Sequence, residues 1–124
     1  MSFRYAGIDH VQLAAPRGCE EEARSFFGEL LGMEEIAKPE NLRKRGGVWF
    51  RCGVHELHIG VQDDFVPASK AHPAFEVLGI EALRSRLEEA GVTANEDEPI
   101  AGKTRFHIRD PFGNRIEFVE NKVR

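Results

Sequence analysis

The chain has 124 residues, of which 41% are hydrophobic and 31% charged, with a formal net charge of −4. A chain of this size suits one compact domain that buries roughly two-thirds of its unfolded surface, so folding requires neither disulfides nor a structural metal. The mildly acidic balance excludes the concentrated basic surface that nucleic acid demands, and no run approaches the ~18 apolar residues of a membrane span.

Taken in chain order, the first element is a strand at residues 8–13, where Ile8-Asp9-His10-Val11-Gln12-Leu13 alternates with period two. The amino-terminal residues ahead of it show no apolar stretch behind a basic start, so a cytoplasmic location is expected. A helix follows, because Ala23, Phe26, Phe27, Leu30 and Leu31 recur at helical spacing and Gly32 stands where a C-terminal cap would end it. Three extended segments come next, at 34–37, 48–52 and 54–61, with Gly53 turning the last two. Arg43, Lys44 and Arg45, flanked by Pro39 and Gly46-Gly47, read as a solvated loop and a candidate anion contact.

From Ala71 the order restarts. Pro73, Phe75 and Val77 alternate in a strand, and Ile80, Leu83 and Leu87 mark the apolar stripe of a helix closed by Gly91. Strands are expected again at 92–94, 104–109 and 114–120. Asp110-Pro111-Phe112-Gly113 has the residue order of a type I turn between the last two. Each half therefore reads strand, helix, three strands, over pseudo-repeats 6–62 and 70–122. Neither half is large enough to bury both faces of its sheet, so the two should pack as one domain over 1–124. Cys19 and Cys52 fit no zinc spacing and read as free thiols.

The chemistry is carried by residues that recur in both halves. His10 and Glu56 are 46 positions apart and His72 and Glu117 are 45 apart. Successive residues of a strand face opposite ways. His10 and Gln12 thus oppose Val11 and Leu13, Glu56 and His58 oppose Leu57 and Ile59, and His72 and Glu76 oppose Pro73 and Phe75. Arg115 and Glu117 likewise oppose Ile116 and Phe118. Two nitrogens and two oxygens converging would form a divalent-metal site, but parity alone leaves open whether the sheet curves enough to gather them. It also leaves open whether Glu56, its face-mate His58 or, after a one-residue bulge, His55 is the first-half partner. His107 alternates with Phe106 and Ile108 and is a possible substrate contact.

The twofold order of elements, Asp9-His10-Val11-Gln12-Leu13, Glu56-Leu57-His58, His72 at the opening of the second half, and the segment Asp110-Pro-Phe-Gly-Asn-Arg-Ile-Glu117-Phe118 together resemble the vicinal oxygen chelate superfamily. That is the glyoxalase, bleomycin-resistance and extradiol-dioxygenase group. The resemblance implies an α+β fold in which two βαβββ modules form a cupped eight-stranded mixed sheet, with the helices on its convex side. It also implies a metal held on the concave side by His10, His72, Glu117 and Glu56, with His58 the alternative to the last. Zn²⁺, Ni²⁺, Mn²⁺, Co²⁺ or Fe²⁺ would suit such a set. Glu56 or Glu117 would move a proton in a lyase or isomerase reaction on a small oxygen-rich substrate, and a homodimer is expected. The same resemblance leaves a non-catalytic antibiotic-binding protein, an Fe(II) dioxygenase and a fosfomycin-modifying enzyme as alternatives. It leaves open, too, whether the site lies within one chain or across two.

Overall fold

The computed structural model describes residues 2–122. Among the described residues seven strands form two sheets. In the first, β1 (His10–Ala15), β2 (Glu34–Ile36), β3 (Val48–Cys52) and β4 (His55–Val61) lie in the order β1-β4-β3-β2. In the second, β5 (Ala74–Glu76), β6 (Lys103–Arg109) and β7 (Arg115–Asn121) lie in the order β5-β7-β6. Both sheets are mixed, with β1 parallel to β4 and β5 parallel to β7, while the remaining pairs are antiparallel. This is the βαβββ arrangement that the order of elements implies, with open sheets.

The expected strand at 92–94 is reduced to one bridge, Asn95 to His107. Its alternation spans too few residues to propagate a ladder, and Val92 and Ala94 instead pack against the core. The first helix begins as α1 (Glu20–Ala23) and continues in wider π-helical turns from Arg24 to Leu30, which bury Phe26 and Phe27 before Gly32 ends it at a φ of 75°. The basic run is a 3₁₀ turn, Glu40–Arg45, rather than an irregular loop. The second helix, α2 (Ile80–Glu89), takes its cap from a distant strand: the Glu120 carboxylate accepts the amides of Gly79 and Ile80 at 3.1 and 2.9 Å. That satisfies donors a helix start cannot pair internally.

One buried cluster draws on both halves, joining Phe27, Phe50, Leu57 and Ile59 to Leu87, Phe106, Ile108 and Ile116. Directional bonds tie the halves together as well. Asn114 Nδ2 donates to the Ala14 carbonyl at 2.8 Å, and Arg86 donates to the carbonyls of Leu30 and Glu29. The Asp110 turn forms as expected, with Gly113 N donating to Asp110 O at 3.0 Å. Its buried Asp110 carboxylate also accepts from the amides of Phe112 and Asn114 and from the Asn114 side chain. Among the described residues no helix is long and apolar enough to cross a membrane.

Candidate metal and substrate site

The polar residues of the two sheets form two separate clusters. In the first sheet His10 is the register partner of Glu56, and His58 that of both Gln12 and Trp49. The rings of Trp49, His58 and His10 form a stack: Trp49 to His58 is 3.7 Å at 3° from parallel, and His58 to His10 is 4.2 Å at 16°. His58 at the centre is only 4% exposed, and its Nε2 bonds Glu56 Oε1 at 2.9 Å. Burial between two rings therefore turns His58 into a group that holds Glu56. Parity put these two residues on one face but could not show that one orients the other.

His10 keeps a nitrogen free. Its Nδ1 lies 2.8 Å from Asp9 Oδ2, and because that carboxylate can only accept, Nδ1 carries the proton and Nε2 stays available.

In the second sheet His72 Nδ1 donates to the Lys70 carbonyl at 2.8 Å, which assigns its proton in the same way. Its Nε2 then points at Glu117 Oε1, 3.1 Å away. In the neutral ring these are two lone pairs facing each other. The contact is favourable only with a positive charge between them, supplied by a second proton on the imidazole or by a cation. A backbone carbonyl fixing the tautomer behind a histidine that faces a carboxylate is the usual outer support of a metal-binding nitrogen.

Beside this pair stand His107 and Arg115, which strand parity already singles out, and two groups it did not, Arg105 and Asp97. Arg105 Nη1 lies 3.6 Å from Glu117 Oε1 and 3.8 Å from Asp97 Oδ2. His107, the register partner of Glu117, donates from Nδ1 to Asp97 Oδ2 at 2.8 Å, and Arg115 Nη2 reaches the same oxygen at 3.4 Å. The hydrogen bond from His107, aided by the charges of His107, Arg115 and Arg105, holds the Asp97 carboxyl below the usual aspartate range despite burial. Arg105 shares strand parity with His107 and was legible on that ground. Asp97 lies outside any strand, and no periodicity marks it.

The structure thus brings His10, Glu56 and His58 together, and separately His72 and Glu117. It does not unite the two clusters: among the described residues no three His, Cys, Asp or Glu side chains of one chain are placed to hold a metal ion. Both clusters belong to free sheet edges, however. His10 lies on edge strand β1, and His72 leads into edge strand β5. A cavity of about 520 Å³ opens between these edges, lined by Ile8, Val11, Val54, Glu56, Pro73 and Phe75 among others. The donors suit a borderline divalent cation: two imidazole Nε2 atoms with lone pairs available, and one carboxylate. Burial raises the pKa of both thiols, Cys19 and Cys52, and keeps them protonated.

Comparison with known proteins identifies the fold. The family model for the Glyoxalase/Bleomycin resistance protein/Dioxygenase superfamily matches residues 7–118. A solved glyoxalase family protein from Bacillus anthracis is 57% identical, with a TM-score of 0.95, over 98% of this chain and 100% of its own. A lactoylglutathione lyase from Agrobacterium tumefaciens shares the fold at 21% identity and a TM-score of 0.74, covering 95% of this chain and 96% of its own. The fosfomycin resistance protein FosX from Listeria monocytogenes does so at 15% and 0.71, covering 98% and 95%. No curated protein sequence matches.

Proposed function

This chain belongs to the Glyoxalase/Bleomycin resistance protein/Dioxygenase superfamily, and we propose that it is a metal-dependent lyase or isomerase of the glyoxalase type whose site is completed by a second copy of the chain. The observation that carries this reading is His72: its proton is fixed on Nδ1 by the Lys70 carbonyl, so that Nε2 faces Glu117 across a gap suited to a cation. His72 and Glu117 of one subunit and His10 of the other would hold the metal. Support for the second copy comes from the free edges of β1 and β5 and from Phe3, Tyr5, Ile8 and Val54, which leave at least 59% of their surface exposed in the single chain. Such a patch beside an unpaired edge calls for a partner.

A bound divalent cation would act as a Lewis acid toward two neighbouring substrate oxygens and stabilise the negative charge that develops on them. The chain's own residues do the rest. Asp9 and the Lys70 carbonyl hold the imidazoles in the ligating tautomer. Glu56, beside His10 and oriented by buried His58, is the carboxylate that takes and returns a proton.

The test is metal stoichiometry in mixed dimers. Wild type should bind Ni²⁺ or Zn²⁺, and H10A and H72A should each lose it. A mixed H10A/H72A dimer should recover one of its two sites, because one pairing joins an intact His10 to an intact His72. Failure of wild type to bind either metal would refute the reading, and failure of the mixture to recover would refute the shared site. Turnover of a thiohemiacetal to a hydroxy-thioester, and opening of fosfomycin with added thiol, then separate the candidate reactions.

A second reading is favoured by one observation. Because Glu56 is engaged by His58, the ligands reduce to two histidines and one carboxylate, a set that also holds Fe²⁺ in oxygenases. Oxygen uptake with a catechol by the Fe²⁺-loaded protein would select it.

A further inference from the structure

Among the described residues, the buried side-chain polar atoms without a hydrogen-bond partner are the Nε atoms of Arg105 and Arg115. Both side chains are mostly covered, at 16% and 22% exposure, and both lie on the face of β6 and β7 that carries Glu117. A buried guanidinium donor left unpaired forfeits its solvation with no bond in return, so two in one place require an account.

Their surroundings give one. Arg105, His107 and Arg115 all converge on a single oxygen, Asp97 Oδ2, at 3.8, 2.8 and 3.4 Å. Only the histidine makes a bond of ordinary length to that oxygen; Arg105 spends Nη2 on the Glu98 carbonyl at 2.6 Å, and both arginines stand farther from the Asp97 oxygen than the histidine does. Asp97 comes from outside the strands, at residues 96–99, whereas the three donors stand on paired strands of the sheet. The donors are built into the sheet and the acceptor is carried to them.

Charge points the same way. Two guanidinium groups here face two carboxylates, Asp97 and Glu117. If Glu117 turns to a cation, the arginines retain Asp97 alone, and the face becomes net positive. Planar guanidinium groups with spare donors recognise oxyanions in a bidentate manner, which one carboxylate oxygen does not satisfy.

We propose that Arg105, His107 and Arg115 form an oxyanion subsite beside the metal position, taking a carboxylate, phosphate or phosphonate group of the substrate, and that Asp97 occupies it as an internal stand-in when substrate is absent. This narrows the substrate of the proposed enzyme to small anionic molecules and rests on that reading for its catalytic meaning, although the subsite itself needs no metal. Asp97 acts here as a competitor: its removal should strengthen anion binding.

The experiment uses the full-length protein with chelator present and titrates acetate, inorganic phosphate and methylphosphonate, followed by the ring resonances of His107 and by thermal unfolding. D97A and D97N should bind at least one of the three about tenfold or more tighter than wild type, and that anion should raise their Tm more than it raises that of wild type. Adding R105Q or R115Q to D97N should abolish the gain. The anion bound tightest distinguishes a carboxylate subsite from a phosphate or phosphonate one. H72A should keep the binding within about threefold.

Unchanged anion affinity in both Asp97 variants, or a gain that survives loss of either arginine, would overturn the proposal. Should D97A fail to fold, D97N, of equal size, carries the test. Failure of the metal reading is distinguishable: anion binding by chelated D97N, together with no metal uptake by wild type, would sink the metal site and leave this subsite standing.

Discussion

Asp110→Ala should be among the most destabilising single changes in the chain. Asp110 is 5% exposed, and its carboxylate accepts three hydrogen bonds, from Phe112 N at 2.9 Å, Asn114 N at 2.8 Å and Asn114 Nδ2 at 2.9 Å. Bonds to a charged acceptor contribute about 1.5–3 kcal/mol each. Burial outweighs those bonds in their effect on the charge and raises the pKa of this carboxyl, so the cost of the change lies chiefly in the three buried donors it leaves unpaired. A net loss of about 3–4 kcal/mol is therefore expected. Asn114 also donates to Ala14 O, so freeing its side chain weakens the link between the halves. With an unfolding entropy of about 2.1 cal/mol/K per residue, that loss lowers Tm by roughly 12–15 °C. Urea unfolding followed by circular dichroism measures it, with D110N as companion: retaining one oxygen for the two backbone amides, it should lose about half as much. A D110A protein within 1 kcal/mol of wild type would refute the reasoning, since it would mean that the turn closes without its carboxylate.

Other outcomes follow from single contacts. Glu20 accepts the Gly47 amide at 2.7 Å, and that bond lowers its pKa, so the advantage of wild type over E20Q should be full above pH 4.5 and vanish as acid protonates the folded carboxyl, which urea unfolding between pH 7 and 3 would show. Gly47 has a φ of 89°, and a methyl there would lie 2.2 Å from the Ile59 carbonyl oxygen; G47A should lose about 2–4 kcal/mol in the same assay. H58A should leave metal stoichiometry intact while cutting kcat roughly 10- to 100-fold, because Glu56 loses the group that orients it. It should also shift Trp49 emission, since the indole loses its stacked neighbour.

Much of the architecture was legible because its signals are local. The extended segment expected at 48–52 is β3 to the residue, and helical spacing with closing glycines marked both helices. Asp-Pro-Phe-Gly marked its turn. Strand parity also placed His10, Glu56 and Glu117 on the polar faces of their strands, and the structure keeps them there, whereas His72 lies just ahead of β5 rather than within a strand. Short elements escaped. A three-residue alternation at 92–94 carries too little signal to separate a strand from a single bridge, and π-helical turns bury the same side chains as the α-helix their spacing suggests.

Of the candidate site, the sequence by itself determined which residue types face which way, since side-chain direction in a strand depends on position alone. It determined the family too, through motifs spread over nearly the whole chain. Only the tertiary structure decided what those residues meet. It sandwiched His58 between Trp49 and His10 and so bound it to Glu56, spent one nitrogen each of His10 and His72 on a local acceptor, and brought Asp97 onto two arginines and a histidine from strands of its own half. It also left the His10 and His72 clusters apart on two open sheet edges. These outcomes depend on sheet curvature, ring stacking and loop path, which follow from the packing of the entire core and have no period that a sequence can display.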